Sequence, residues 1–283
     1  MSTVNINGAL ILDGNLTCDG DININAPGVL YPVAEEQPGS YYSCDLGDYI
    51  ATNGKSRAIK TISGDIIVDG LIDGKGRGFA VNEGPGANSL LESNIGQIKG
   101  FGGTHAGLGS AEPRPGEVLP APLPRYGSHQ APVSIGSGSW ATYGGSGVKI
   151  EARNGLVLIN GLVTVDGGSG GLGQETGGGA GGSIWIIGWC VDGSGSLSAE
   201  GGETQYVYGG GGGGGYISIW YHNSCFSSLG FSIEGKQGGT PGKTFFRRIE
   251  PSFEDRFTGT VLNTKWWNVI EPEVSDENVI KLN

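Results

Sequence analysis

Apolar and polar positions alternate in short runs that end at an acid followed by glycine, and three of these runs recur at a fixed interval. Val163-Thr164-Val165-Asp166-Gly167, Leu197-Ser198-Ala199-Glu200-Gly201 and Phe231-Ser232-Ile233-Glu234-Gly235 each read apolar, hydroxyl, apolar, acid, glycine, and they lie 34 positions apart. Period-two alternation closed by a turn residue is the pattern of a half-buried strand. A second apolar run precedes each: Val148-Lys149-Ile150-Glu151-Ala152, Ile184-Trp185-Ile186-Ile187 and Ile217-Ser218-Ile219-Trp220. Glycine-rich stretches come before these in turn, at 144–147, 177–182 (with Ala180 inside) and 209–215. Related runs occur earlier, at Asp65 to Gly74 and at Ala9 to Gly20.

Short strands repeated at one period stack most simply as coils, each hydrogen-bonded to the next at about 4.8 Å with apolar ladders inside. No segment reads as a helix, and parallel pairing without crossover helices requires such stacking. The expected fold is therefore all-β: a parallel β-helix (solenoid) with glycine-rich loops, plus a short C-terminal β segment. In register, the acids Asp73, Asp166, Glu200 and Glu234 would form a column on the outside. The glycine runs fall at the same phase of each repeat, so they are expected to be ordered and stacked rather than flexible.

Composition sharpens this picture. Glycine supplies 57 of 283 residues, about three times its usual share. The every-third-residue period of collagen is absent. Only 16% of residues are charged, which does not suit a disordered chain. The formal charge of −11 makes nucleic acid and bare anionic membrane poor partners. No apolar run approaches the roughly 20 residues of a membrane span.

The N-terminus lacks the basic start and apolar core of a secretory signal. Either a signal has been removed, or the protein is made in a cytoplasm and assembled into a particle. Cys18, Cys44, Cys190 and Cys225 show no zinc spacing. They read as buried thiols, although Cys190 and Cys225, 35 residues apart, could also meet on adjacent rungs as a disulfide.

Tyr126 to Ala152, with "GGGAGGSIWIIG" and "GGGGGGGYISIWY", resembles segments of large glycine-rich parallel β-helix repeat proteins of phage particles and bacterial surfaces. The resemblance covers roughly Ile66 to Gly239. It implies a structural role, brings no catalytic residues, and suggests homo-oligomers such as trimers. After Gly242 the texture changes, and Phe253 to Trp267 is similar to the opening of a concanavalin-like jelly roll. Four regions result: 1–83, an N-terminal β region with the first coils; 84–146, an irregular Gly/Pro-rich excursion expected to run over the surface; 147–242, the glycine-rich repeats; and 243–283, a C-terminal β segment.

Chemistry is sparse. Gly238 to Thr244 imitates a phosphate loop, but Gln237 stands where glycine is required and no helix follows. The glycine runs open no helix and so form no dinucleotide site. Gly167 to Leu172 has leucine where a calcium β-roll needs aspartate. The acid column could do general acid–base work on a polysaccharide, but its alternation suits solvated turns better, and His222 reads as a solvated loop residue.

No catalytic residue, metal or cofactor is expected. The expected role is a structural and adhesive component of a phage tail or head fibre, or a similar appendage, on a virion or extracellular surface. It would bind other appendage proteins and a surface glycan. A secreted polysaccharide lyase or hydrolase, or a cellular adhesin, are the alternatives. Loop aromatics Trp140, Tyr143, Tyr206 and Tyr208 are the expected contacts, since aromatic side chains anchor interfaces.

Overall fold

Wherever the sequence alternates, the chain is extended. The computed structural model describes residues 2–33, 39–43, 48–52, 55–87, 100–113, 115–119, 121–171, 176–205, 208–224, 228–249, 273–274 and 280–281, and these contain nineteen strands and no helix. The first ten are β1 (Val4–Ile6), β2 (Ala9–Leu12), β3 (Leu16–Cys18), β4 (Ile22–Ile24), β5 (Val29–Pro32), β6 (Gly39–Ser43), β7 (Asp48–Thr52), β8 (Arg57–Thr61), β9 (Ile66–Val68) and β10 (Leu71–Asp73). The repeats supply β11 (Gly147–Ile159), β12 (Leu162–Thr164), β13 (Ser183–Asp192), β14 (Ser196–Ser198), β15 (Tyr216–Ser224), β16 (Gly230–Ser232) and β17 (Lys243–Arg248). Beyond a unit boundary at Ile249 lie β18 (Glu273–Val274) and β19 (Ile280–Lys281), which pair antiparallel.

Two parallel sheets carry the fold, one of nine strands and one of six. The smaller runs β16-β14-β12-β10-β5-β2. Here the 34-residue spacing is realised literally, because Val163 pairs with Leu197 and Leu197 with Phe231. The same column continues through Ile72 and Leu30, and all of these except Phe231 are fully buried. In the larger sheet Ile59, Ile150, Ile186 and Ile219 form an equivalent buried column. Residues of both columns belong to one apolar cluster, so the core lies between the sheets. Burying each such aliphatic side chain contributes about 1.5–3 kcal/mol.

The expected solenoid is not what forms. The strands make two separate sheets in a layered arrangement, not the closed wall of a parallel β-helix. The reason lies in the glycine runs, which do not supply a further strand face. In a strand, successive N–H groups point to two opposite sides. In the run 177–182 they point to three. Gly178 and Gly181 donate to Gly210 and Gly213, Gly179 and Gly182 to Gly168 and Val165, and Ala180 to Ser137. The run 209–215 behaves alike: Gly210 and Gly213 donate to Gly100 and Gly103, whereas Gly212 and Gly215 donate to Gly202 and Ala199.

A three-residue period with no internal hydrogen bonds is the signature of polyproline II geometry. The runs therefore build a lattice of extended rods. Side chains would block it, since a Cβ on Gly178 would overlap the Gly202 carbonyl oxygen, and one on Gly179 that of Tyr143. Ordering and stacking of the glycine runs is thus present, in a form that coils alone do not provide.

The 84–146 segment departs from expectation in part. Residues 111–113, 115–119 and 121–125 are mostly exposed or half-buried, as a surface excursion would be, but 100–110 and 126–146 thread into the lattice. Gly103 donates to Gly178, Gly107 to Gly214 and Gly136 to Gly145, and Phe101, His105, Tyr126 and Ile135 are buried. Pro113, Pro115 and Pro124 are exposed and Pro122 is half-buried, as the poor fit of proline to a ladder predicts, whereas Pro132 is buried. His105 is the polar centre of this packing, its Nδ1 2.7 Å from the Gly181 carbonyl and its Nε2 2.8 Å from Ser134 Oγ. A carbonyl can only accept, so Nδ1 carries the proton of the neutral ring and Nε2 accepts from the serine. The rings of Tyr126 and Tyr216 lie 4.6 and 4.9 Å away, and Tyr216 donates its hydroxyl to the Tyr126 carbonyl. Burial pushes the His105 imidazole down to about 4, against a partly opposing hydrogen bond to Gly181.

Cys18 is a buried free thiol, whereas Cys190 is disulfide-bonded to a residue outside the described set. The region resembling a jelly roll, Phe253 to Trp267, lies outside the described residues.

Candidate functional site

The acid column does not form as drawn from the sequence. Asp73 pairs with Thr164, two positions short of Asp166, and so falls out of line. The other acids tie each repeat to the next. Asp166 accepts from Ser198 Oγ at 2.6 Å and from the Glu200 amide at 2.8 Å, and Glu200 accepts from Ser232 Oγ. Lys236 closes the series, 2.7 Å from Glu200 and 3.5 Å from Glu234. Burial would raise the Glu200 carboxyl, but hydrogen bonds from Lys236 and Ser232, with the Lys236 and Lys75 charges, hold it below the ordinary carboxylate range. An acid held ionised is a poor proton donor at neutral pH. Asp166→Ala is expected to cost about 1–2 kcal/mol, because the Glu200 amide and Ser198 hydroxyl lose their acceptor. The midpoint of urea unfolding measures this.

The rods are joined by loops at one end of the lattice, and the loops of successive repeats rest on each other. Gly170 donates to the Glu203 carbonyl at 2.7 Å, and the Thr204 amide donates to Gln237 Oε1 at 2.6 Å. Thr176 and Thr204 share a hydroxyl hydrogen bond of 2.9 Å.

The expected contact residues gather at this rim. Trp140 is half-buried in a turn closed by Ser139 and Thr142, whose hydroxyls both donate to the Gly177 carbonyl. Tyr143 is 51% exposed, and its carbonyl accepts from Gly168. Tyr208 is half-buried and precedes Gly209, whose Cα faces the Thr176 carbonyl. Trp140, Tyr143 and Tyr208 thus share one end of the lattice, while Tyr206 lies outside the described residues.

A second aromatic cluster was not singled out from the sequence. On the face of the large sheet turned away from the core, the Trp185 and Trp220 rings meet edge-on at 5.2 Å, and Trp189 stacks on His222 at 4.6 Å. His222 is therefore part of β15 and packed on an indole, not a loop residue. Lys149 Nζ lies 4.5 Å from the Trp185 ring centroid and the Arg247 guanidinium 4.7 Å from that of Trp220. Ile187, fully buried yet absent from the main core, floors the patch.

Next to it, Glu151 is held by Lys149 at 2.6 Å and Arg153 at 2.5 Å, with Lys60 at 3.7 Å. Burial would raise its carboxyl, but hydrogen bonds from Lys149 and Arg153 and their charges outweigh that and keep it low. The signal was present in the sequence: alternation that sends Ile184, Ile186, Ile217 and Ile219 inward sends Trp185 and Trp220 outward.

Among the described residues, no three or more His, Cys, Asp or Glu side chains converge as a metal ion would require. No family model, curated protein or solved structure matches this chain.

Proposed function

We propose that this chain is a structural and adhesive component of a surface appendage, such as a phage tail or head fibre, that presents loops for attachment. The observation that carries this reading is the division of labour between lattice and rim. The glycine rods are held by main-chain groups, and nearly every position in them excludes a side chain. Side-chain diversity is thereby concentrated in the loops at the rim, where Trp140, Tyr143 and Tyr208 sit. A rigid scaffold with variable tips suits recognition, because loops positioned by a stiff frame can change without disturbing it. Homo-oligomers and neighbouring appendage proteins belong to the same proposal.

The test is binding of labelled protein to an array of uncharged glycans and to a panel of bacterial cells. Saturable binding is expected, weakened at least tenfold in a Trp140→Ala/Tyr143→Ala double variant whose melting temperature is unchanged. Binding indifferent to that variant, or release of new reducing ends from a polysaccharide by the intact chain, would overturn it.

A further inference from the structure

The aromatic patch on the large sheet is separate from the loop rim, and its composition is unlike the rest of the molecule. The chain carries 28 acidic and 17 basic residues. Yet Lys149 and Arg247 lie over Trp185 and Trp220, and Lys60 and Arg153 flank Glu151 beside them, on adjacent strands β8, β11, β13, β15 and β17; Glu151 is the one carboxylate paired with these cations among the described residues. Parallel register places these groups in two rows across the strands. One holds Ala58, Lys149, Trp185, Ser218 and Phe245; the other holds Lys60, Glu151, Ile187, Trp220 and Arg247. Lys60 and Arg153 are about half exposed, so the cationic flank faces solvent.

We propose that this patch is a binding site for an acidic polysaccharide, a chain of pyranose rings bearing carboxylates. A sugar ring offers one face of C–H groups, and such a face packs on an indole plane as an apolar surface. The positive charges flanking the indoles then select a chain whose rings carry anions, through charge-assisted hydrogen bonds. Glu151 cannot neutralise the surrounding cations, since one carboxylate faces Lys149, Arg153 and Lys60 together.

The carbonyl of Gln130 fixes the platform. It accepts from Trp220 Nε1 at 2.9 Å and from Ser218 Oγ at 2.7 Å, which sets the plane of the Trp220 indole before any ligand arrives. An aromatic held in place loses little rotamer freedom on binding. The surface extends the attachment reading by naming a ligand class, and it stands apart from the rim residues on which that reading depends.

The experiment is affinity electrophoresis of the full chain in gels containing polygalacturonate, its methyl ester or dextran, with tryptophan fluorescence titration as the second readout. Polygalacturonate is expected to retard the protein and quench its emission, and the uncharged ester and dextran to do so at least tenfold less. Trp185→Ala/Trp220→Ala should abolish retardation, Arg247→Gln should weaken it several-fold, and Trp140→Ala/Tyr143→Ala should leave it unchanged.

Melting curves establish that each variant is folded. If the tryptophan pair destabilises the chain, Arg247→Gln, at an exposed side chain, carries the test alone. Equal retardation by the acidic polymer and its ester, no retardation at all, or retardation insensitive to Arg247→Gln would overturn the proposal. Loss through the rim variant instead would assign the glycan to the loops and sink this site while sparing the attachment reading.

Discussion

Gly212→Ala is expected to destabilise the protein by about 3 kcal/mol or more, whereas Gly171→Ala should be nearly silent. A Cβ on Gly212 would overlap the carbonyl oxygen of Gly179 and press on that of Gly178, all of it main chain that cannot rotate aside. The same residue donates to Gly202 and accepts from Lys236, so moving it away breaks contacts to two neighbouring rods. At Gly171 nothing lies within 4 Å of the same atom, and the residue is exposed. For a chain of this size the difference is roughly 6–12 °C in melting temperature. Equal melting temperatures for the two variants would mean that the rods do not pack at this spacing. Alanine has the better intrinsic backbone entropy. A flexible glycine linker, unordered in both the folded and the unfolded state, would show almost no change at either position.

Acidification should weaken the fold in a window set by His105. Its folded value is about 4, against 6.5 for an ordinary imidazole. Above about pH 6.5 the ring is neutral whether the chain is folded or not, and the full stability is present. Between about 6.5 and 4 the unfolded chain binds a proton that the folded chain refuses. Stability then falls by about 3 kcal/mol, and below that range this contribution remains lost. Glu151 and Glu200, both held below the ordinary carboxylate value, lose their contributions at still lower pH, as it falls through their folded values. His105→Gln can keep both hydrogen bonds, with its amide donating to Gly181 and accepting from Ser134, but it does not titrate. Urea midpoints at pH 7.5, 5.5 and 4.5 should slope for the native chain and flatten over the upper part of that range for the variant. A native chain equally stable at pH 7.5 and 4.5 would place the ring in solvent.

The parts legible in the sequence are those written in side chains. Val163, Leu197 and Phe231 announce their stacking because alternation and spacing are both carried by apolar groups. Asp73 misled because its Leu-Ile-Asp-Gly ending imitates the later repeats while its register is two residues off. The glycine lattice was legible only as a phase. A rod of glycines has no pattern to show whether its N–H groups go to two sides or three, and that choice separates a closed coil from layered sheets with a lattice beside them. The burial of residues 100–107, 126–128 and 134–139 was hidden for the same reason, since the small residues there read as surface loop. Trp185 and Trp220 were marked as outward by the alternation around them, but tryptophan in a strand reads as core unless the face is tracked.

Hydrogen exchange of the glycine amides tests the central claim most directly. If the runs form a hydrogen-bonded lattice, the amides of Gly178 to Gly182 and Gly210 to Gly215 should exchange as slowly as those of β13 and β15, with protection lost only on global unfolding. Complete exchange within seconds, at the rate of an unstructured glycine linker, would contradict the lattice and every inference that rests on it.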